Sequence, residues 1–323
     1  MPAPQRILFI TANRIGDAVL STGILDHLLR LYPAARVTVA CGPLVTGLFK
    51  DVPQVERVIA MPKRKRSGHW VRLWAKTAGT RWEIVVDLRS SLLSWLLWTR
   101  KRAVFSGTKE PIHKVRQLAA LFDLDPPPAP RLWAGPEAAA KATALLPSQG
   151  PILAIGPTAN WGGKQWRAEY FAETVARLTG PGGILPNAPV VIMGAPGEEE
   201  KARPVAEAVP PARRIDLVGK IGLDVTAAVL ARCSFYLGND SGLMHMAAAS
   251  KLPTLGLFGP SDERIYGPWG EHTACLRTKR SFQEILASPE YDYRSHATMM
   301  DEIEVDQVVT AATALWRRVA QAA

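Results

Sequence analysis

The sequence predicts two doubly wound α/β domains in one chain of 323 residues. Three observations carry that expectation. Apolar runs of strand length alternate with helical patterns, a proline cluster breaks the alternation, and the apolar runs end in Gly, Pro, Asn, Asp or Ser. Such alternation gives parallel strands joined by crossover helices. The length exceeds one ordinary core and suits two domains of about 150 residues each.

The first half opens on RILFITA (6–12). GDAVLSTGILDHLLRLY follows, with Val19, Leu20, Ile24, Leu28 and Leu31 recurring at helical spacing. RVTVAC (36–41), VERVIAM (55–61) and EIVVDL (83–88) are the next strands. The cluster DPPPAPRLWAGPE (125–137), an Ala-rich helix and LLPSQGP then form a linker within 125–150, which divides domain 1–150 from domain 151–323. The rhythm restarts with PILAIGP (151–157), APVVIMGAPG (188–197), RIDLVG (214–219), CSFYLGND (233–240) and LPTLGLFGPSD (252–262). WRAEYFAETVARL and LDVTAAVLAR are intervening helices, and VDQVVTAATALWRRVAQ is a closing amphipathic helix. Ligands on such sheets collect at the carboxyl ends of strands, and in a two-domain arrangement the cleft between the domains is the expected site.

Composition narrows the function classes. Apolar residues make up 47% and charged residues 21%, which argues against disorder. Cys41, Cys233 and Cys275 lack metal-ligand spacing and read as core residues in a reduced, cytosolic setting. The N-terminal apolar run is too short for a signal peptide, and SSLLSWLLW (90–98) is about half a bilayer span. A soluble protein is expected, with contact to a membrane surface left open. Residues 1–150 carry 22 Lys and Arg against 10 Asp and Glu, net +12, and residues 151–323 carry 17 against 19, net −2. An anionic partner is therefore expected on the N-terminal half. No nucleic-acid motif accompanies this charge, so nucleic acid is not an expected partner.

Polar residues concentrate at the strand ends. In GNDSGLMHMAAAS (238–250) a helix starting near Ser241 presents unpaired amides and about half a positive charge. Gly242 lets a phosphate approach the backbone, and Ser241 and His245 share one face. Asp240 or Ser241 as a simple helix cap is the competing reading. FGPSDERIYGPWG (258–270) loads the next strand end in the same way. GPTANWGGKQW (156–166) places Thr158, Asn160 and a glycine pair before Lys164; a lysine there suits phosphate, or is an ordinary surface lysine, and the P-loop spacing is absent. In TANRIGDAVLSTG (11–23), Asp17 is either an N-cap or a carboxylate able to take a proton from an acceptor hydroxyl. No G-x-G-x-x-G occurs there, which argues against a dehydrogenase. Lys63, Arg64, Lys65 and Arg66, with His69 and Trp70 behind them, form either a solvated loop or an anion contact. His113, Lys114 and Arg116 precede an apolar helix, where helix-start packing is the plain alternative. DLD (123–125) looks like a sugar-transferase metal pair but runs into the proline cluster, so no metal site is expected.

With these corners in place, the chain resembles glycosyltransferase family 9, the heptosyltransferases of lipopolysaccharide inner-core assembly. The resemblance runs through RIGDAVLSTGILDHLLRLYP, VVDLRSSLLSWLL, GPTANWGGKQWRAEYFAET and above all LVGKIGLDVTAAVLARCSFYLGNDSGLMHMAAASKLPTLGLFGPSD. It implies a GT-B fold of two Rossmann-like domains facing a central cleft, with the acceptor on the N-terminal domain and a nucleotide-sugar on the C-terminal one. It implies metal-independent transfer with inversion, and no cofactor beyond an ADP-linked co-substrate, ADP-heptose. Asp17 falls on the family's general base, and Lys164 on the lysine that contacts the donor diphosphate, with Thr158 and Asn160 before it. Asp240, Ser241, Gly242 and His245 fall on the D-[ST]-G-x-x-H donor corner; Glu198 or Glu199 and Ile221 lie near nucleoside-holding positions. Lys63, Arg64, Lys65, Arg66 and Arg116 lie where relatives contact a phosphorylated acceptor, here an anionic lipid-linked or glycan molecule. Asp240, awkward beside a diphosphate, is given sugar hydroxyls or loop amides. RSFQEILASPEYDYRSHATMMDEI (280–303) departs from many relatives in having no cysteine, which leaves the subfamily open. A different nucleotide-sugar donor and a non-catalytic relative are the alternative functions. The expected location is the cytoplasm, with peripheral contact to the inner leaflet through Arg100, Lys101 and Arg102, the apolar side chains of 90–98 being buried in a crossover helix.

Overall fold

The computed structural model describes residues 5–108, 110–289, 291–292, 294–295 and 297–322. The chain divides into two compact units, Met1–Gly135 and Pro136–Ala323.

Unit 1 runs β1 (Arg6–Ile10), α1 (Ile15–Leu31), β2 (Arg36–Cys41), β3 (Val55–Ala60), α2 (Gly68–Thr77), β4 (Trp82–Asp87), β5 (Thr99–Val104) and α3 (Lys114–Ala119). All strand pairs are parallel, in the order β3-β2-β1-β4-β5. β1, β2 and β4 are buried almost throughout, as expected of parallel strands covered on both faces, whereas β3 and β5 are half-exposed edges. Leu8, Ile10, Ile59, Leu73, Trp82 and Val85 form one core cluster.

Unit 2 runs α4 (Pro136–Leu145), β6 (Leu153–Gly156), α5 (Ala168–Thr179), β7 (Val190–Ile192), α6 (Glu199–Ala208), β8 (Arg214–Asp216), α7 (Leu223–Leu230), β9 (Phe235–Asn239), α8 (Gly242–Ala249), β10 (Thr254–Phe258), α9 (Glu263–Tyr266), β11 (Thr273–Arg277), α10 (Phe282–Ala287) and α11 (Val305–Ala322). Its parallel sheet has the order β11-β10-β9-β6-β7-β8. Its core joins Ile155, Trp166, Phe171, Phe235 and Leu257 to Val308 and Leu315 of the closing helix.

In each unit the order reverses once, between β1 and β4 and between β6 and β9. At such a switch point neighbouring crossovers leave on opposite faces, opening a crevice at the strands' carboxyl ends.

Three expectations change. The proline cluster is no linker: Thr22 Oγ1 accepts from the Arg131 amide (2.9 Å), Arg131 pairs with Asp26 (3.1 Å), and the carbonyl of Pro128 crowds Gly23 so closely that a Cβ there would overlap it. That segment is part of unit 1, while α4 packs on α7, so the division at 135/136 lies inside the expected 125–150 stretch but ahead of residue 150. Second, 92–96 forms a 3-10 turn with Leu92, Trp95, Leu96 and Trp98 exposed, not a buried helix. Third, only Cys41 is fully buried; Cys233 is half-buried and Cys275 exposed, because it lies on edge strand β11.

Candidate active site

The switch point of unit 2 is built from two glycines. Gly156 ends β6 and pairs in register with Gly238 of β9. Tyr236, two residues before Gly238 and therefore on the same face, lays its fully buried ring across both. A Cβ at either glycine would overlap the Tyr236 hydroxyl. Burial pushes this phenol above its usual range, the approach of Ser241 opposing the shift in part. The two hydroxyls meet without a well-aligned hydrogen bond. Gly156→Ala is expected to cost about 1–3 kcal/mol by overpacking, and Tyr236→Phe should recover part of that loss by removing the overlapping oxygen; chemical denaturation of the single and double variants checks the coupling.

Asn239 ties the loop after β6 to the end of β9. Its buried side chain donates to the Pro157 carbonyl (2.8 Å) and accepts from the Trp166 amide (3.0 Å). The loop so held carries Thr158, Asn160 and Lys164. Lys164 Nζ meets Asp240 Oδ2 at 2.5 Å, and His245 Nε2 lies 4.0 Å from Asp240 Oδ1. Asp240 and His245 are buried, and Lys164 keeps a quarter of its side chain open to solvent. Thr158 donates to Glu198 Oε2 (2.6 Å), which also accepts from the Ala195 amide (2.9 Å). Asn160 is exposed, Ile221 half-buried, and Glu199 sits beside Gly219.

The capping alternatives now separate. Ser241 is the N-cap of α8 but its side chain makes no capping bond, so the amides from Gly242 onward are not satisfied by it. In unit 1, Arg14 holds the N-cap position of α1 without a side-chain capping bond, and Asp17 lies in the first turn, half-buried. By contrast, Asp262 caps α9 through the Arg264 amide (3.0 Å), and His113 caps α3 through the Val115 amide (3.2 Å). At those two positions the plain reading is sufficient.

Unit 1 gathers its charges along the carboxyl ends of its strands. Burial lowers the Lys114 ammonium, and the nearby Asp17 carboxylate opposes that shift, so the two groups sense each other. Lys114 also lies 3.8 Å from the Phe105 ring centre. Arg116, on the same helix, is exposed. At the β1/β4 switch point Asp87 is fully buried and accepts from the amides of Arg89 (2.9 Å) and Ser91 (2.8 Å). Arg89 donates to Asn13 (3.1 Å) and stacks on Trp70 at 4.9 Å. Lys63, Arg64, Lys65 and Arg66 follow β3 as an exposed run, with Arg66 in left-handed backbone. His69 titrates below its usual range through desolvation and then the positive field of Arg89 and Lys63. Among the described residues no cluster of three or more His, Cys, Asp or Glu is placed to hold a metal.

Sequence reasoning found the polar strand ends but missed the Lys164–Asp240 pair, the Asn239 tie, the Tyr236 wedge and the Asp17–Lys114 coupling. The Tyr-x-Gly spacing in YLGND was the available signal for the wedge. Asp240, expected to meet sugar hydroxyls or loop amides, also holds Lys164.

Comparison with known proteins decides the family: the family model Glycosyltransferase family 9 (heptosyltransferase) matches residues 47–290. The chain belongs to glycosyltransferase family 9. Among curated relatives of this family 9 enzyme, lipopolysaccharide heptosyltransferase 2 of Salmonella typhimurium is 24% identical, the match covering 87% of this chain and 90% of that one. Among solved structures, the glycosyl transferase family 9 protein from Veillonella parvula superposes with TM-score 0.79 at 22% identity, covering 98% and 99% of the two chains. E. coli ADP-heptose lps heptosyltransferase II does so with TM-score 0.76 at 22% identity, covering 97% and 99%. The fold of this glycosyltransferase is accordingly GT-B, with two Rossmann-like domains.

Proposed function

We propose that this glycosyltransferase moves a heptose from ADP-heptose to a lipopolysaccharide inner-core acceptor, inverting the anomeric carbon without a metal ion. The observation that carries the reading is the Lys164–Asp240 pair at the β6/β9 switch point, beside the uncapped start of α8. Its similarity to a lipopolysaccharide heptosyltransferase and to an ADP-heptose heptosyltransferase supports the choice of donor and acceptor class.

The acceptor hydroxyl attacks the anomeric carbon, its new C–O bond forming as the bond to the diphosphate oxygen breaks. The electron pair leaves with ADP, so negative charge grows on the diphosphate. Lys164 and the first amides of α8 stabilise that charge without reorganising. Asp240 holds the lysine in place before the donor binds. Thr158, Asn160, Ser241, Gly242 and His245 complete the donor side, and Glu198, already accepting from Thr158, faces the nucleoside. Asp17 takes the proton of the attacking hydroxyl. Lys63, Arg64, Lys65, Arg66 and Arg116 receive the acceptor's phosphates; His69 is lowered first by desolvation, and then by the positive charges of Arg89 and Lys63, which reward an anion there. The reaction needs no further cofactor and belongs to the cytoplasmic face of the inner membrane.

Incubation with ADP-heptose and heptose-free lipopolysaccharide core tests this. The acceptor should gain a heptose of opposite anomeric configuration, read by proton NMR, and equally well with a chelator present. Transfer from a UDP- or GDP-sugar instead overturns the donor. Nucleotide binding without any transfer points to a non-catalytic relative.

A further inference from the structure

The crossover LLSWLLW (92–98) is apolar on its solvent side. Leu93 and Leu97, four residues apart, enter the unit 1 core, and Ser94 is buried with its hydroxyl on the Ser91 carbonyl (3.0 Å). Leu92, Trp95, Leu96 and Trp98 are instead 74%, 62%, 62% and 68% exposed. A surface turn normally shows the opposite arrangement, serines outward and tryptophans inward. The helix α2 packs on this turn and exposes Val71 and Trp74 alongside Arg72 and Lys76. Half of the large apolar side chains exposed among the described residues therefore fall within 71–98, and clustering of this kind marks an interaction surface.

Charge says what covers it. Arg102 stacks on Trp95 at 4.8 Å and Arg81 on Trp98 at 5.1 Å. Arg102 is held there by the carbonyls of Ser94 (2.8 Å) and Leu97 (3.2 Å). On the following strand Arg100 is exposed and pairs with Glu83 (3.3 Å), while the exposed Lys101 reaches the Tyr32 hydroxyl (3.4 Å). Residues 1–135 carry 21 Lys and Arg against 9 Asp and Glu, net +12. Tryptophan favours the headgroup layer of a bilayer, and basic side chains are attracted to an anionic surface. No helix among the described residues is long and apolar enough to cross a membrane, so contact through this face is interfacial.

We propose that this face of unit 1 docks on an anionic phospholipid surface, with Leu92, Trp95, Leu96 and Trp98 entering the headgroup layer and Arg81 and Arg102 meeting lipid phosphates. The proposal goes beyond sugar transfer and is read without any sugar nucleotide, so the failure of either leaves the other standing.

The test is flotation of the full chain with vesicles of phosphatidylethanolamine and phosphatidylglycerol, and with phosphatidylcholine alone, alongside tryptophan emission. The protein should float with the anionic vesicles and shift its emission to the blue. Trp95→Ser/Trp98→Ser should weaken binding by about tenfold or more, with a nearly unchanged melting curve because both side chains are mostly exposed and lose only their stacking on Arg102 and Arg81. Leu44→Ser, equally exposed but outside the cluster, should change nothing. Equal binding to neutral vesicles, or a double variant that binds like the wild type, overturns the proposal. So does a dimer, seen by light scattering without vesicle binding and dissolved by the double variant, which would make the face a self-association surface.

Discussion

Asp17→Asn lowers kcat by about 10²- to 10⁴-fold and leaves ADP affinity unchanged. The amide keeps the size of the side chain but cannot take the acceptor's proton. The coupled group gives a second readout. Lys114 and Asp17 interact, and the interaction is mutual: a positive lysine favours the ionised carboxylate. Lys114→Gln removes that support, so the acid limb of the kcat/KM profile should move to higher pH while the plateau stays near wild type. If Asp17 serves only as structure within the first turn of α1, Asp17→Asn will alter the melting temperature and not the pH profile.

Lys164→Ala lowers ADP affinity by roughly 10- to 100-fold, the worth of a charge-assisted contact. It also strands the buried Asp240 carboxylate. Breaking a buried pair from one side costs about 3–5 kcal/mol, and the partial exposure of Lys164 puts this variant toward the lower end. Asp240→Asn separates the two effects, because it removes a negative charge from the diphosphate's surroundings. That variant should bind ADP at least as tightly as wild type yet turn over more slowly, its lysine no longer held in place. Opposite signs at two residues in one ion pair are hard to obtain from a general loss of folding; calorimetric titration of both variants measures them.

The legible parts of the fold are those buried on both faces. RILFI, EIVVD, LAIG and FYLGN lie in the middle of their sheets, and their hydrophobicity has no competing explanation. Strand β5, TRKRAV, was read as a basic flank because an edge strand shows solvent its charged side chains, and β11 escaped for the same half-exposed pattern. The 92–98 turn was misread because apolar residues in a soluble chain are expected to face inward, and here one set does and another does not. At the site, polar residues after each strand were visible from local order alone. What joins them was not. Lys164 and Asp240 are 76 residues apart, and only the strand order that sets β6 beside β9 brings them together. The proline cluster shows the converse error, since composition suggested a linker and specific contacts to Thr22 and Asp26 hold it against α1.

On the proposed function, the β6/β9 switch point of unit 2 binds the diphosphate of an adenine nucleotide-sugar through Lys164. Isothermal titration of the purified protein with ADP, UDP and GDP, with and without magnesium, and again on Lys164→Ala, tests it most directly. ADP should bind selectively, independently of magnesium and more weakly in the variant. Tighter binding of UDP or GDP, or ADP binding unaffected by loss of the lysine, would contradict it.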